Sequence, residues 1–158
     1  MKVVEGYVYH VKNEYFELVH DNKLMTNHEG NGTRPNYFCI KKEGSKIFWF
    51  IPMSSKVDKY QKIIEHKIKK NGKCDTIVIG NYRRRQQAFL LQNMFPITEE
   101  YIDHIDTANG KALPVAKETR EIIEEKVDII FKLKSRGINL IFPNVDRIET
   151  ILLNNNKK

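Results

Sequence analysis

The stretch Lys46-Ile47-Phe48-Trp49-Phe50-Ile51-Pro52-Met53-Ser54-Ser55-Lys56-Val57-Asp58-Lys59-Tyr60 changes periodicity in its middle. Up to Met53 it is an apolar run, with Phe48, Phe50 and Pro52 on one face of an extended chain and Ile47, Trp49 and Ile51 on the other. A strand apolar on both faces belongs at the centre of a sheet, covered on both sides. From Val57 onward the apolar residues Val57, Tyr60, Ile63, Ile64 and Ile68 recur at helical spacing, the stripe of an amphipathic helix. Ser54 or Ser55 offers an N-cap and Asn71-Gly72 a stop. The other face of that helix carries Lys56, Lys59, Lys62, Lys67, Lys69 and Lys70, a solvated surface that attracts anions at long range.

Outward from this segment, Glu43-Gly44-Ser45 supplies turn chemistry between a strand over 37–42 and the strand over 46–53, a hairpin. Val3 to Val11, rich in Val and Tyr, reads as a first strand, and Tyr15, Phe16, Leu18 and Val19 as a short helix. Residues 20–36 are polar, contain Gly30, Gly32 and Pro35, and read as a long loop, a feature that in a small domain tends to be functional or disordered. Beyond the helix, a short strand is expected over 76–79, a turn at Gly80-Asn81, and further strand over 86–91 and 94–97. Thr98-Glu99-Glu100 opens a short helix, 107–113 is a loop, and Pro114 starts a long helix with Ile122, Ile123, Val127, Ile130 and Leu133 inward, ended by Gly137. Val145, Ile148, Ile151 and Leu152 suggest a last helix. The expectation is one α+β domain over 1–153, a largely antiparallel sheet with helices around it, and a frayed tail over 154–158. Strands in adjacent pairs argue against a doubly wound parallel fold.

The chain has 158 residues, 41% hydrophobic and 30% charged, enough for a core without a disulfide or metal staple. Cys39 and Cys74 form no CxxC pair and lie in apolar runs, so buried reduced thiols are expected. No apolar run is long enough to cross a membrane and the N-terminus has no signal-like h-region, so the cytoplasm is the expected compartment. Lys plus Arg exceed Asp plus Glu by 27 to 20, a net charge of +7, which points to a polyanionic partner.

The sequence lacks GxGxxG, GxxxxGK[ST], HExxH and GxSxG. None of His10, His20, His28, His66 and His104 stands at ligand spacing from a cysteine or a second histidine, and the acids form no two-metal array. No metal and no cofactor are expected. Ser54-Ser55-Lys56 lies where a strand gives way to a helix. Free backbone N–H groups and the positive helix end meet there, and two hydroxyls and an ammonium add donors for a phosphate. Arg83-Arg84-Arg85, flanked by Tyr82, Gln86 and Gln87, suits single-stranded RNA, where bases stack and phosphates take guanidinium forks.

Arg34-Pro35-Asn36-Tyr37-Phe38, the hairpin, the segment from Trp49 to Tyr60, and Gln87-Ala88-Phe89-Leu90-Leu91-Gln92-Asn93-Met94-Phe95-Pro96-Ile97-Thr98 resemble the type III toxin–antitoxin toxins. These are the ToxN/AbiQ-like endoribonucleases, and the chain is most similar to their CptN-like branch. The resemblance covers most of the chain, most strongly 34–98. It implies a compact, twisted antiparallel sheet with surrounding helices, related to the MazF/Kid toxins, and metal-independent RNA cleavage. Its implied partners are a small repeat-derived, pseudoknotted RNA antitoxin, cellular RNA as substrate, and a closed protein–RNA assembly. The family's Thr/Ser, Ser and Lys motif falls on Ser54, Ser55 and Lys56. The archetype has a residue between the second hydroxyl and the lysine where this chain has none, so Lys59 competes with Lys56 as the catalytic lysine. An upstream family site falls on Arg34 or Asn36. Cleavage by the substrate's own 2′-hydroxyl would leave 2′,3′-cyclic phosphate and 5′-hydroxyl ends. Lys56 would stabilise charge or protonate the leaving oxygen, Ser54 and Ser55 would bond phosphate, and Arg34 would clamp it. Asn36, Tyr37, Lys59, Arg83, Arg84 and Arg85 would hold flanking RNA. A non-catalytic RNA-binding module on the same basic groove, or a protein-interaction domain whose charge only aids solubility, are the alternatives.

Overall fold

The computed structural model describes residues 1–155. In chain order the elements are β1 (Val8–Val11), α1 (Asn13–Val19), β2 (His28–Glu29), β3 (Gly32–Thr33), β4 (Asn36–Lys41), β5 (Phe48–Ser54), α2 (Val57–Asn71), β6 (Ile77–Tyr82), β7 (Arg85–Leu90), β8 (Phe95–Ile97), β9 (Ile102–Ile105), α3 (Lys117–Ser135) and α4 (Val145–Asn155). Single 3-10 turns follow β7 and β8. The fold is α+β, with an antiparallel sheet ordered β6-β7-β5-β4-β1-β9, β8 beside β5, and a separate β2–β3 ribbon.

The expected central strand is β5, and all its residues are buried. It pairs with β4 along one edge; its other edge pairs first with β8, up to Phe50↔Phe95, and then with β7, from Met53↔Phe89. Pro52 has no N–H to give a ladder. The N–H of Met53 points to β4, bonding Pro35 O at 3.0 Å, so the ring nitrogen of Pro52 faces the other edge, in the gap between β8 and β7. The proline is therefore tolerated in mid-strand.

Alternation along paired strands places Val8 and His10, Tyr37, Ile51 and Met53, Phe89, Gln87 and Arg85, and Gly80 and Tyr82 on one face of the sheet. Helix α3 covers part of that face, burying Thr119, Ile123, Val127 and Ile130, with Phe131 edge-on to Trp49 at 5.0 Å between centroids. Gly80 makes the close approach possible: a Cβ there would overlap the Thr119 side chain. On the opposite face Tyr60, Ile63 and Ile64 of α2 pack on Ile77, Ala88 and Leu90, and α4 packs on β8 and α1.

Several local expectations change. Residues 3–7 are not strand; β1 begins at Val8. Gly80-Asn81 is no turn, since β6 runs on to Tyr82. The turn is Arg83-Arg84, both at positive φ (53° and 64°), closed by the Tyr82↔Arg85 pair. Two arginines thus hold a conformation that normally selects Gly or Asn. The expected loop over 20–36 contains the β2–β3 ribbon. Strand β9, unanticipated, adds the sheet's last edge. Helix α3 begins at Lys117, three positions beyond Pro114, and Ile122 is exposed. Cys39 lies in β4 and Cys74 is buried just before β6. Helix α4 reaches Asn155, and the rest of the expected tail, 156–158, lies outside the described residues.

Candidate functional site

On the face that carries Gly80, beyond Thr119 in the first turn of α3, His10 and Gln87 are half-buried and Arg85 is exposed, while Val8, Met53, Tyr82 and Phe89 are buried. This strip, a narrow shelf, links the β2–β3 ribbon, which meets His10 through Thr33 and Ser55 through Glu29, to the β6–β7 turn and the β5–α2 junction. The junction holds the serine–lysine motif. Ser54 is buried, and its Oγ accepts the Lys56 N–H at 3.2 Å. Ser55 is exposed, and its N–H and hydroxyl both donate to Glu29 Oε1, each at 2.8 Å. The residue flanking α2 is Lys56, without a side-chain cap, rather than a capping serine, because Ser54 closes a tighter bond to the Lys56 N–H before the helix starts. Lys56 is exposed, and among the described residues its ammonium makes no ion pair or hydrogen bond. Lys59, also exposed, holds its ammonium 5.2 Å over the Tyr60 ring. The donors just ahead of α2, the Ser55 N–H and hydroxyl, are thus engaged by a carboxylate of the chain itself.

Arg34 is 7% exposed. Its guanidinium bonds Thr26 O at 2.8 Å, Met53 O at 3.0 Å and, at 3.5 Å, Glu29 Oε2. It ties the ribbon to β5 and orients the carboxylate that meets Ser55. Asn36 is buried and donates to Arg34 O and Tyr9 O at 3.0 and 3.3 Å. Tyr37 is buried against Phe89 beneath α3, where burial raises the phenol well above its ordinary range. It lines a cavity of about 670 Å³ walled by Glu5, Glu121, Glu124, Glu125 and Asp128 with Arg120, surroundings that repel a polyanion. The shelf therefore gathers Ser55 and Lys56, with Ser54, Arg34 and Asn36 packed behind them, while Tyr37 sits elsewhere.

The three arginines separate. Arg83 donates from Nε to Tyr82 Oη at 2.9 Å and from Nη2 to Asp106 O and Lys111 O, each at 3.1 Å. These bonds hold the turn in its positive-φ form. Arg84 and Arg85 are exposed, and alternation points Arg85 onto the shelf with Gln87.

Sequence reasoning passed over the polar network beside them. His10 Nδ1 lies 2.7 Å from Thr33 Oγ1 and His10 Nε2 lies 2.7 Å from Asp106 Oδ1. Tyr82 Oη donates to Asp106 Oδ2 at 2.6 Å, and Arg83 Nε lies 3.4 Å from the same oxygen. His104 stacks on His10, centroids 4.6 Å apart. Burial works to raise the Asp106 carboxyl, but hydrogen bonds from His10 and Tyr82 and the charge of Arg83 outweigh it and hold the group below the usual carboxylate range. Burial first, and then Asp106, push the Tyr82 phenol up to about 12. The members come from β1, β3, β6 and the segment after β9, so no spacing in the sequence joins them. Among the described residues no three His, Cys, Asp or Glu side chains converge as a metal site, and no helix is long and apolar enough to cross a membrane.

No protein-family model matches the chain, and no curated protein matches it. Among solved structures the chain is similar in fold to AbiQ, a lactococcal anti-phage endoribonuclease belonging to a type III toxin–antitoxin system. The TM-score is 0.64 at 13% identity, covering 96% of this chain and 98% of that one.

Proposed function

We propose that the chain is a metal-independent endoribonuclease toxin of a type III toxin–antitoxin system, restrained by a small RNA that fills the shelf. The observation that carries this reading is the end-to-end likeness in fold to AbiQ. The net charge of +7 and the shelf between Arg84 and Arg85 at the β6–β7 turn and the Ser55-Lys56 junction support it. The CptN-like branch, and a closed toxin–RNA assembly, remain part of the proposal.

The chemistry needs no protein nucleophile. The ribose 2′-oxygen attacks the adjacent phosphorus, and the 5′-oxygen leaves. Catalysis is then in-line positioning, proton transfer and stabilisation of the phosphorane charge. A phosphate oxygen takes the place of Glu29 Oε1 between the Ser55 N–H and hydroxyl, and the Glu29 side chain rotates away. Lys56, next to Ser55 in the chain and unpaired among the described residues, stabilises the phosphorane and protonates the leaving 5′-oxygen. Arg34, Ser54 and Asn36 act behind the surface, fixing the ribbon and the strand end. Arg84, Arg85 and Lys59 hold flanking phosphates, and Gln87 meets base or sugar edges. Cellular RNA is the substrate, in the cytoplasm.

The test is cleavage of end-labelled transcripts in excess EDTA, with matched substrates carrying 2′-deoxy residues. The expected result is cutting of the ribo strands only, with cyclic phosphate ends. Binding without cutting would return the chain to a non-catalytic RNA-binding module, and cutting of deoxy substrate or dependence on a divalent ion would overturn the mechanism.

A further inference from the structure

Thr33, His10 and Asp106 form a hydroxyl–imidazole–carboxylate chain, with both contacts to the imidazole at 2.7 Å. A carboxylate can only accept, so Nε2 carries a proton toward Asp106, and in the neutral imidazole the Nδ1 lone pair then accepts the Thr33 hydroxyl proton. Asp106 is held in turn by Tyr82 Oη at 2.6 Å and Arg83. This is the arrangement in which an acid fixes an imidazole in one tautomer so that its other nitrogen can draw a proton from a hydroxyl. The His10 and Asp106 side chains are 12% and 23% exposed, and His10 shares its sheet face with Gln87 and Arg85. Burying such a set for stability alone is a poor exchange, since an apolar core of the same volume does as well.

We propose that Thr33, His10 and Asp106 are the proton-accepting unit of the RNA cleavage reaction, an inference that rests on the endoribonuclease reading above. The substrate's 2′-hydroxyl gives its proton to Thr33 Oγ1 as the Thr33 proton passes to His10 Nδ1. The freed 2′-oxygen bonds phosphorus, and the bond from phosphorus to the 5′-oxygen breaks, with Lys56 protonating that oxygen. His10 ends as an imidazolium facing the Asp106 carboxylate; it returns its proton to water, and Lys56 regains one. Atoms and charge balance with water as the only co-reactant. The ribbon links the two ends from its opposite faces: β3 carries Thr33 to His10 and β2 carries Glu29 to Ser55, so one short hairpin connects the proton acceptor to the phosphate site. The charged and titratable groups around His10 are Asp106, Tyr82 and Arg83, with His104 stacked on the ring and Asp103 3.2 Å from His104 Nδ1.

The decisive variant is His10→Gln, whose amide can keep bonds to Thr33 and Asp106 but cannot titrate. The measurements are the single-turnover cleavage rate of end-labelled mixed-sequence transcripts across pH, the affinity for the same RNA, and circular dichroism. The expected result is a folded protein that binds RNA within a few fold of wild type and cleaves 10²- to 10⁴-fold more slowly. The fall in wild-type rate toward acid pH, where the imidazole is protonated, should be missing from its profile. Thr33→Ser should keep the rate within about tenfold and Thr33→Val should lose it; added imidazole should partly restore His10→Ala. If wild type cleaves and folded His10→Gln cleaves equally fast with the same acid limb, the triad is structural and this inference falls while the endoribonuclease reading stands. If wild-type protein does not cleave RNA at all, both fall. Should His10→Gln not fold, Thr33→Ser against Thr33→Val decides on the same readout.

Discussion

The β5–α2 junction and the network around Asp106 both bring donors and charge to one shelf, but they are assembled in opposite ways. At the junction, Ser54, Ser55 and Lys56 are neighbours in the chain, and the change from strand to helix alone turns the Ser55 and Lys56 N–H groups from the sheet ladder to side-chain acceptors. Around Asp106, His10, Thr33 and Tyr82 lie 23 to 96 residues apart in sequence along their contacts. The first is local chemistry on a tertiary scaffold; the second exists only when the sheet curls far enough to set the end of β6 against β1. A locally built site tolerates loss of a side chain without loss of fold, whereas a network that clamps distant strands should couple function to stability.

The largest effect expected from this contrast is at the junction. Ser55→Ala and Lys56→Ala should each lower RNA cleavage by about 10²- to 10³-fold, with a stability change below about 1 kcal/mol, read from single-turnover rates and urea melts. If both variants fold and cleave as wild type does, the phosphate site lies elsewhere on the shelf.

Arg34 lies behind the same junction and should behave like the network. Arg34→Ala leaves the carbonyls of Thr26 and Met53 without a donor and Glu29 without its ion pair. A buried charged hydrogen-bond partner lost in this way costs on the order of 3 kcal/mol. A urea midpoint unchanged from wild type, combined with lost cleavage, would restore Arg34 as a direct phosphate clamp.

The carboxylates give the next effect. Burial works to raise both Asp75 and Asp106, but bonds and charge from Lys126 and Lys73 on the one, and from His10, Tyr82 and Arg83 on the other, hold them below the ordinary range. Stability from a lowered carboxyl is fully present above the unfolded value of about 4 and is lost as pH falls through the folded one. Wild type should therefore lose stability progressively below about pH 4, and Asp106→Asn should start about 1–2 kcal/mol lower at neutral pH with a shallower acid decline. An identical acid slope in the variant would show that Asp106 contributes nothing to the linkage.

The smallest effect separates the arginines of the turn. Arg84→Gln with Arg85→Gln should flatten the dependence of RNA affinity on log salt by about 1.4 units if each touches one phosphate of a single strand. Arg83→Gln should instead lower stability, because Asp106, Lys111 and Tyr82 each lose one donor. Equal salt effects from all three would mean that Arg83 leaves its protein partners when RNA binds.

The sequence by itself determined the central strand, the amphipathic α2 and α4, the α+β class and the Ser54-Ser55-Lys56 junction. These follow from periodicity over a few residues and from the propensities of a strand end meeting a helix start. Their boundaries moved by a few residues where a local cue was overruled: Gly80 marks the contact with Thr119 rather than a turn, and the turn falls on Arg83 and Arg84 because bonds to Asp106 and Lys111 hold their strained backbone. Only the tertiary structure decided that Tyr37 faces an acidic cavity, that Arg34 and Asn36 bond the chain itself, that Glu29 meets Ser55, and that His10 stands between Thr33 and Asp106. The physical reason is one of range. Alternation and helical period fix which way a side chain leaves its own element, but a hydrogen bond closes between elements, and its partner is chosen by sheet order and curl, which nearest-neighbour residues do not encode.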